Sequence, residues 1–337
     1  MNRFDYVRAG TVAEAVQAFA GAPGAQFIAG GTNLVDLMKY DVTRPGRLID
    51  ITRLPLGDIA EHDGGLRVGA LVTNANLAYD ARVRSRYPLL ADAILAGASG
   101  QLRNAATTGG NLNQRTRCYY FYDTATPCNK REPGSGCAAI GGVTRIHAIF
   151  GASESCIATH PSDMCVALAA LEAVVQVTGP EGDRSIAFAD FHRLPGDDPA
   201  KDNTLKPGEI VLSVDLPAAD LSKNYTYLKL RDRLSYAFAL VSVAAALELD
   251  GDTVKIARLA LGGVAHKPWR NRQAEALLVG KPATRETFQA AADFVVAEAR
   301  PQSENAFKVE LARRAIVRGL SQAAAGTPQS LTDKRIQ

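Results

Sequence analysis

Long apolar segments are missing from this chain of 337 residues. No run of 18 apolar residues could span a bilayer, and the first ten residues, MNRFDYVRAG, lack the apolar core of a signal peptide. A large excess of charge is missing too, since 38 Lys and Arg stand against 35 Asp and Glu. Nothing in this balance indicates a nucleic-acid or membrane partner. We therefore expect a globular protein that is not exported through a signal of its own.

Signatures of catalysis are missing as well. The chain shows no Ser/His/Asp order, no HExxH motif and no pair of carboxylates at a suggestive spacing. The GxGxxG fingerprint of dinucleotide-binding proteins is absent, and the sequence has no internal repeat. We therefore expect no bond-breaking chemistry on a substrate within this chain.

Apolar periodicity predicts an α+β architecture in two parts. Residues 1–217 alternate short strands with helices. Residues 224–325 begin with long alternating strands, which a DGD turn joins, and end in Ala-rich helices. Residues 326–337 are polar and predict a tail.

Local signals predict several boundaries in the first part. Thr11 and Glu14 have the spacing of a capping box, which starts a helix. QFIA, residues 26–29, predicts a short strand, and a glycine turn connects it to a helix that starts at Asn33. Apolar alternation and turn signals predict further strands over 66–72 and 173–178.

Two glycine turns could hold a phosphate group. AGGTNL, residues 29–34, follows an apolar strand, and TTGGN, residues 107–111, adds two hydroxyls and an amide. Glycines let backbone N–H groups approach a phosphate, which the start of a helix also favours electrostatically. One such turn is more often plain structure, but two in one region favour a dinucleotide ligand.

Four of the five cysteines lie within 39 residues, and they are Cys118, Cys128, Cys137 and Cys156. Their spacing, C-x9-C-x8-C-x18-C, lacks the close pairs typical of structural zinc sites and of ferredoxins. The surrounding loop is rich in glycine and in basic residues, which would stabilise an anionic iron–sulfur cluster on four thiolates. Disulfides, zinc and free thiols remain alternatives on the residues alone.

The remaining candidate metal ligands have simpler interpretations. Cys165 lies in an apolar helix, which predicts a core residue. His147 and His160 flank Cys156, but four thiolates already complete a tetrahedral set. We therefore expect both histidines to be hydrogen-bonding or surface residues.

Five segments, in order along the chain, resemble one known family. They are FIAGGTNLVDLM, TTGGN, PSD, EIVLSVDLP and YLKLRDR. In this order they resemble the FAD-binding medium subunit of the molybdenum hydroxylases. That subunit is related to the flavin domain of xanthine dehydrogenase and to the medium subunit of carbon monoxide dehydrogenase. The resemblance covers nearly the whole chain.

The resemblance implies a fold and a set of cofactor contacts. The fold would be an FAD-binding region of the PCMH type, with two α/β subdomains over about 1–58 and 59–217, followed by a small antiparallel sheet with helices. The glycine turns would hold the FAD pyrophosphate, and an Asp, an apolar residue beside the isoalloxazine and a Lys near that ring would complete the site. On this chain the implied contacts are Phe27, Ile28, Ala29, Gly30, Gly31, Thr32, Asn33, Leu34, Thr107, Thr108, Gly109, Gly110, Asn111, Asp163, Val211 and Lys229. Tyr236 and Phe238 are candidates to shield the isoalloxazine.

One departure from the commonest members is informative. About ten residues usually separate the GGN turn from the SD pair, whereas Asn111 and Asp163 are 52 positions apart here. The extra residues are the cysteine loop, at about 114–160. A similar insertion carries a 4Fe–4S cluster in a subset of the family, notably the flavin subunit of periplasmic aldehyde oxidoreductases. The resemblance thus implies a 4Fe–4S cluster on the four loop cysteines, whose role could be structural or redox.

The function implied by the resemblance is electron transfer through FAD. Substrate chemistry, aldehyde plus water to carboxylate, would occur on a large molybdopterin-binding partner. Electrons would arrive from a small 2Fe–2S partner and leave to an external acceptor. A cluster-bearing flavin subunit also occurs in 4-hydroxybenzoyl-CoA reductase, so that type and the xanthine dehydrogenase type remain alternatives. Location in the periplasm would require co-export with a signal-bearing partner, and the alternative is the cytoplasm.

Overall fold

The computed structural model describes residues 1–218 and 221–332, which fold around three sheets. A three-stranded parallel sheet forms at the N-terminus, a five-stranded antiparallel sheet follows, and a four-stranded antiparallel sheet lies in the C-terminal part. The α+β class expected from the sequence is confirmed. No helix in the described ranges is both long and apolar enough to cross a membrane.

The parallel sheet is built from βα units. Its strands pair in the order β1–β3–β2, with bounds β1 (Asp5–Arg8), β2 (Gln26–Ile28) and β3 (Arg47–Asp50). Helices α1 (Val12–Ala20) and α2 (Leu34–Lys39) supply the crossovers that parallel strands need. Thr11 caps α1, because its Oγ1 accepts a hydrogen bond from the Glu14 amide at 3.1 Å. The predicted helix start is confirmed.

The second sheet is antiparallel throughout. Its order is β4–β5–β8–β6–β7, with bounds β4 (Ile59–His62), β5 (Gly65–Gly69), β6 (Val174–Gly179), β7 (Gly182–Ala187) and β8 (Ile210–Leu216). The strand predicted over 66–72 ends earlier, at Gly69, because the chain turns there towards α3. Only the first of the two subdomains is therefore built from parallel βα units.

Eight helices of the described chain belong to this middle region. They are α3 (Asn74–Tyr79), α4 (Ala81–Arg86), α5 (Pro88–Ala96), α6 (Gly100–Ala105), α7 (Thr108–Leu112), α8 (Tyr119–Tyr122), α9 (Asp163–Ala170) and α10 (Phe188–Phe191). Seven of the eight residues of α9 are buried, and α5 packs against it. The cysteine loop runs between α7 and α9, and α8 is its one helix in the described structure.

The third sheet joins the two parts of the chain. Its order is β12–β11–β10–β9, with bounds β9 (Asn224–Leu230), β10 (Val241–Asp250), β11 (Thr253–Gly262) and β12 (Trp269–Arg270). Helices α11 (Arg272–Leu278), α12 (Arg285–Val296) and α13 (Phe307–Ala325) follow, and α12 and α13 pack together. Along β10, Ala244 and Ala246 belong to the core that contains α9, whereas Val243 and Leu247 belong to the core that contains α12 and α13. Both faces of β10 are therefore covered.

The residues predicted as a polar tail begin where α13 ends. Gly326 ends the helix in the left-handed conformation, and the amide of Gln329 donates to Thr226 Oγ1 at 2.9 Å. Leu331 packs against the core. Within the described residues this stretch therefore lies against the protein, and residues 333–337 of the predicted tail lie outside the described residues.

Candidate functional site

Two clefts adjoin at the glycine turn that follows β2. The first has a volume of about 610 Å³ and runs between this turn and β8. The second has a volume of about 430 Å³ and lies between α5, the start of α9 and the end of β9. Thr32, Asn33 and Gly110 line both clefts. One elongated ligand could therefore pass from one cleft to the other over the two glycine turns.

The first glycine turn owes its shape to close backbone packing. Gly31 has a φ of +70°, a conformation that other residues rarely adopt. At Gly30 an added Cβ would lie 1.9 Å from the carbonyl oxygen of Ala105, just before the second turn. Gly30 is thus required because two backbone segments touch, whatever ligand the turn holds.

The second glycine turn forms the short helix α7. Thr107 caps it, because its Oγ1 accepts from the Gly110 amide at 3.2 Å. Thr108 is buried and donates its hydroxyl to the Val72 carbonyl at 3.0 Å. Asn111 Oδ1 accepts from Ser162 Oγ at 2.5 Å, which connects the turn to the start of α9. Thr108 therefore stabilises the turn through this hydrogen bond and lines neither cleft.

A buried ion pair lies in the second cleft. Nζ of Lys229, on β9, is 2.8 Å from Oδ2 of Asp163, at the start of α9, and the two side chains are 5% and 10% exposed. The hydroxyl of Tyr227 donates to Asp163 Oδ1 at 2.7 Å, and Lys229 Nζ also donates to the Ala96 carbonyl at 3.2 Å. The predicted cofactor contacts Asp163 and Lys229 are thus direct partners of each other.

Four residues that line the second cleft each carry a buried polar atom without a hydrogen-bond partner. These atoms are Asn33 Nδ2, Asn74 Oδ1, Arg103 Nε and Arg117 Nε. A buried polar group left without a partner costs about 1–3 kcal/mol. The side chains that carry these atoms offer donors, and in Asn33 and Asn74 also acceptors, to a ligand with both anionic and polar groups. The residues present therefore fit a phosphate-containing, hydrogen-bonding cofactor such as FAD.

The structure brings together almost all the residues predicted to contact the cofactor. Twelve of the sixteen line the first cleft, and they are Phe27, Ile28, Ala29, Gly30, Gly31, Thr32, Asn33, Leu34, Thr107, Gly109, Gly110 and Val211. Asn111, Asp163 and Lys229 line the second cleft, which leaves Thr108 as the exception. Val211 and Lys229, both expected near the isoalloxazine, line different clefts.

Other residues of the second cleft had been missed or were only candidates. Sequence reasoning had not assigned Asn74, Arg103 and Arg117 to the site, because nothing local marks them as neighbours of the glycine turns. The candidate shielding residues Tyr236 and Phe238 do line this cleft. The Arg117 guanidinium lies over the Phe238 ring, 5.2 Å from its centroid. Because both aromatic rings are largely exposed, they lie at the rim.

The four loop cysteines are gathered in one place. Cys118, Cys128 and Cys156 are buried and Cys137 is half-buried, and all four belong to one apolar cluster with Phe121. Cys128 and Cys137 face each other across an isolated antiparallel bridge. Burial raises the pKa of the Cys118 thiol to about 12 and that of Cys156 to about 11. All five cysteines of the chain lie in its described part and are free, so disulfides are not formed here.

Hydrogen bonds reach two of these sulfurs. Nε2 of His147 is 3.1 Å from Sγ of Cys118, and the amide of Ala158 donates to Sγ of Cys156 at 3.5 Å. His147 is buried and acts as a hydrogen-bonding residue, so that expectation is met. Donors of this kind stabilise negative charge on thiolate ligands.

A buried charged network connects the cysteine loop to the first glycine turn. Lys130 Nζ and Arg115 Nε lie 2.5 Å and 2.6 Å from the two carboxylate oxygens of Asp202. Burial would raise the pKa of Asp202, but the charges of Arg115 and Lys130 hold that pKa well below its usual range. The Arg115 amide also donates to Asn33 Oδ1 at 3.0 Å. The loop and the cleft are thus parts of one hydrogen-bonded assembly.

Comparison with known proteins identifies the class. Residues 2–219 match the FAD binding domain in molybdopterin dehydrogenase, and residues 225–323 match the CO dehydrogenase flavoprotein C-terminal domain. With its two adjoining clefts and two glycine turns, the chain belongs to the family of FAD-binding subunits of the molybdenum hydroxylases. It is thus a flavin-binding subunit of an oxidoreductase, as the resemblance had implied.

Individual relatives and solved structures show how far along the chain the similarity extends. The aldehyde oxidoreductase FAD-binding subunit PaoB of Escherichia coli is 54% identical over 327 residues, which is 96% of this chain and 99% of that protein. Carbon monoxide dehydrogenase from Hydrogenophaga pseudoflava superposes with a TM-score of 0.76 at 28% identity, covering 96% of this chain and 98% of the other. Quinoline 2-oxidoreductase from Pseudomonas putida 86 gives a TM-score of 0.75 at 26% identity, covering 97% and 98%. The expected fold is confirmed along nearly the whole chain.

Proposed function

We propose that the chain is the electron-transfer FAD subunit of a molybdenum-dependent aldehyde oxidoreductase. The observation that carries this proposal is the 54% identity, over nearly the full length of both chains, to an aldehyde oxidoreductase FAD-binding subunit. The reaction of the whole enzyme would convert an aldehyde and water to a carboxylate, releasing two electrons and three protons. Substrate chemistry would take place on a large molybdopterin-binding partner subunit.

The part of this chain would be to hold FAD between two electron carriers. A small partner subunit with 2Fe–2S centres would lie on the donor side, and an external acceptor on the other. FAD supplies the ability to accept electrons singly and to deliver them singly or in pairs. A flavin between one-electron centres and an acceptor explains why the chain needs no acid–base machinery of its own.

The two clefts support one placement of FAD. The pyrophosphate would lie at the junction, against the backbone amides of the two glycine turns, where Thr32 and Gly110 line both clefts. The isoalloxazine would lie in the second cleft beside Asp163 and Lys229, and the adenine in the first cleft beside Val211. In this arrangement Val211 contacts the adenine and not the isoalloxazine.

The four loop cysteines would hold a 4Fe–4S cluster. Burial, an apolar surround, the Ala158 N–H directed at the Cys156 sulfur and the His147 ring beside the Cys118 sulfur suit an anionic cluster. Zinc fits less well, because four thiolates on one tetrahedral zinc, at about 2.3 Å each, would lie about 3.8 Å apart. No three of these four sulfurs, all within the described residues, lie within 4.8 Å of one another. We favour a structural or accessory role for the cluster, because FAD can be reached from the small subunit.

The cluster assignment predicts the result of a single substitution. Cys128→Ser should lower cluster iron from about four atoms per chain to near zero and destabilise the loop, since one of four ligands is removed. Iron and acid-labile sulfide assays on anaerobically purified protein measure this. Thr124→Ala, an exposed substitution in the same loop that leaves all four cysteines in place, is the control and should keep its iron. Full iron content in Cys128→Ser would contradict the ligand assignment.

Cofactor content of the anaerobically purified wild-type chain tests the proposal as a whole. We expect one FAD with about four irons and four sulfides. FAD without iron would contradict the cluster and retain the flavoprotein. Absence of both cofactors from folded, oxygen-protected protein would contradict the electron-transfer function.

The substrate class requires the assembled enzyme. Aldehydes should bleach the flavin absorption under anaerobic conditions, whereas xanthine should not. Bleaching by xanthine alone would contradict the aldehyde assignment and favour the xanthine dehydrogenase type.

The cellular compartment of the chain can be tested separately. We propose that the folded, cofactor-loaded chain reaches the periplasm together with a signal-bearing partner subunit. Cell fractionation should then find it in the periplasm only when that partner is co-expressed. Cytoplasmic recovery in the presence of the partner and its intact signal would contradict co-export.

A further inference from the structure

Three buried metal-binding side chains converge outside the cysteine loop cluster. They are His160, just before α9, Cys165 on α9, and His192, just after α10. One ring nitrogen of each histidine and the sulfur of Cys165 lie within 4.8 Å of one another. Their exposed fractions are 8%, 0% and 3%. The sequence had predicted a hydrogen-bonding or surface residue at His160 and a core residue at Cys165, and it had not singled out His192. His160 is instead buried, and its Nε2 has no hydrogen-bond partner.

The hydrogen bonds of His192 prepare it to bind a metal. Its Nε2 is 2.9 Å from the carbonyl oxygen of Leu112, which can only accept, so Nε2 carries the proton and donates. Nδ1 therefore carries a free lone pair, and this atom is buried without a hydrogen-bond partner. Donation of the second ring N–H to a backbone carbonyl is the usual arrangement around metal-bound histidines.

His160 offers a second unpartnered nitrogen at the same place. Its Nε2 is buried and has no hydrogen-bond partner, and its ring lies 4.3 Å from the His192 ring, centroid to centroid. Each of these unpartnered ring nitrogens beside a buried thiol is destabilising if nothing binds it. With the sulfur of Cys165, the two rings therefore offer three donor atoms to a single cation.

The charge states also suit a cation. Burial lowers the pKa of His192 to about 4 and that of His160 well below its usual value, so both rings are neutral at pH 7. Neutral imidazole is the form that binds metals. Burial raises the pKa of the Cys165 thiol to about 12, so its deprotonation would require direct coordination to the cation.

We propose that His160, Cys165 and His192 bind a Zn²⁺ ion. Two imidazoles and one thiolate are ligands that zinc accepts, and a water could complete the tetrahedron. The ion would tie the start of α9, which carries Asp163, to the segment after α10. It would thereby hold the wall of the second cleft in place. The site is distinct from the four loop cysteines, and the proposal depends on neither the cluster nor the enzyme's substrate.

Metal analysis of variants tests the proposal. The full chain, expressed with its partner subunits in zinc-containing medium and purified without chelators or nickel resin, is analysed for zinc and iron by mass spectrometry. We expect about one zinc per chain in the wild type and less than a tenth of that in Cys165→Ala and His192→Gln, with iron unchanged. Cys137→Ser is the matched control, which should keep its zinc and lose iron. Wild-type protein without zinc, or zinc that survives Cys165→Ala, would overturn the site.

A spectroscopic measurement on the wild type covers the case in which the variants do not fold. X-ray absorption at the zinc edge is not obscured by flavin or iron. We expect a first shell of one sulfur at about 2.3 Å with nitrogen or oxygen ligands at about 2.0–2.1 Å. A shell of four sulfurs would place the zinc in the cysteine loop, and a shell without sulfur would indicate surface binding. Either of those shells would overturn the proposal.

Discussion

The ion pair between Lys229 and Asp163 joins the two parts of the chain at the second cleft. Lys229 belongs to β9 of the third sheet and Asp163 to α9 of the middle region, and both side chains are almost fully buried. Burying two charges is expensive, so such a pair is stable only when both partners and their hydrogen bonds are present. Tyr227 and the Ala96 carbonyl provide those additional bonds.

Removing one partner of this pair should destabilise the protein strongly. We expect Lys229→Met to lower the free energy of unfolding of the cofactor-free chain by about 3–5 kcal/mol, because an uncompensated carboxylate stays buried. The double variant with Asp163→Asn should recover most of the loss, since neither charge then remains. Urea denaturation measures both effects.

An exposed ion pair provides the comparison for that experiment. Arg44 and Asp41 lie 2.5 Å apart with both side chains well exposed. Arg44→Met should therefore change the free energy of unfolding far less than Lys229→Met does. Equal losses in Lys229→Met and Arg44→Met would contradict the role given to burial.

The two glycine turns act as one element. The first turn touches the backbone at Ala105, two residues before Thr107 caps α7, and Asn33 accepts a hydrogen bond from the Arg115 amide beyond α7. Each turn is therefore held in position by the chain segment around the other. A distortion of either turn should therefore change the walls of the first and the second cleft.

Gly30→Ala should disrupt this element. The new Cβ would meet the Ala105 carbonyl oxygen at 1.9 Å, so the backbone must move. We expect FAD affinity to fall at least tenfold and the free energy of unfolding to fall by about 1–3 kcal/mol or more. Fluorescence titration with FAD and urea denaturation measure the two effects.

Gly46→Ala is the matched control, because a Cβ at that position meets no atom within 4 Å and its φ is not positive. It should bind FAD as the wild type does. Normal FAD affinity in Gly30→Ala would show that the contact with Ala105 does not set the shape of the cleft.

The cysteine loop, the middle region and the C-terminal part of the chain meet in a buried polar network. Lys130 of the cysteine loop lies 2.6 Å from Nε2 of His266, which follows β11, and His266 Nδ1 donates to the Arg193 carbonyl at 2.8 Å. Oδ1 of Asp202 lies 3.6 Å from His266 Nε2, and His192 is close enough to His266 to affect its pKa. Burial and the charge of Lys130 lower the pKa of His266 to about 4. The loop, the middle region and the C-terminal part are therefore coupled through one neutral histidine.

This network predicts how stability depends on pH. Between pH 4 and about 6.5 the unfolded chain binds a proton at His266 and the folded chain does not. Stability therefore rises with pH across this window and falls on acidification, by up to about 1.4 kcal/mol per pH unit for this group. His266→Gln should flatten the curve by that amount, as measured by urea denaturation at several pH values. An unchanged slope would contradict a neutral, buried His266.

Local sequence patterns were sufficient to predict features that depend on neighbours in the chain. The helix start at Thr11, the two glycine turns and the buried character of α9 follow from capping, φ preference and apolar content within a few residues. The ordered motifs also predicted the family, because together they span most of the chain. The strand expected over 66–72 ends early, at Gly69, because the chain turns there towards α3.

Contacts between distant segments could not be derived from the sequence. Arg103 and Arg117 line the second cleft. His160 lies next to His192, although 32 positions separate them in the chain. Lys229 reaches Asp163 because the third sheet packs against α9. Residue preferences act over a few neighbours and therefore predict elements and turns. Which buried charges pair, and which unpartnered nitrogens lie close together, depends on how the three sheets pack. That packing exists only in the folded chain.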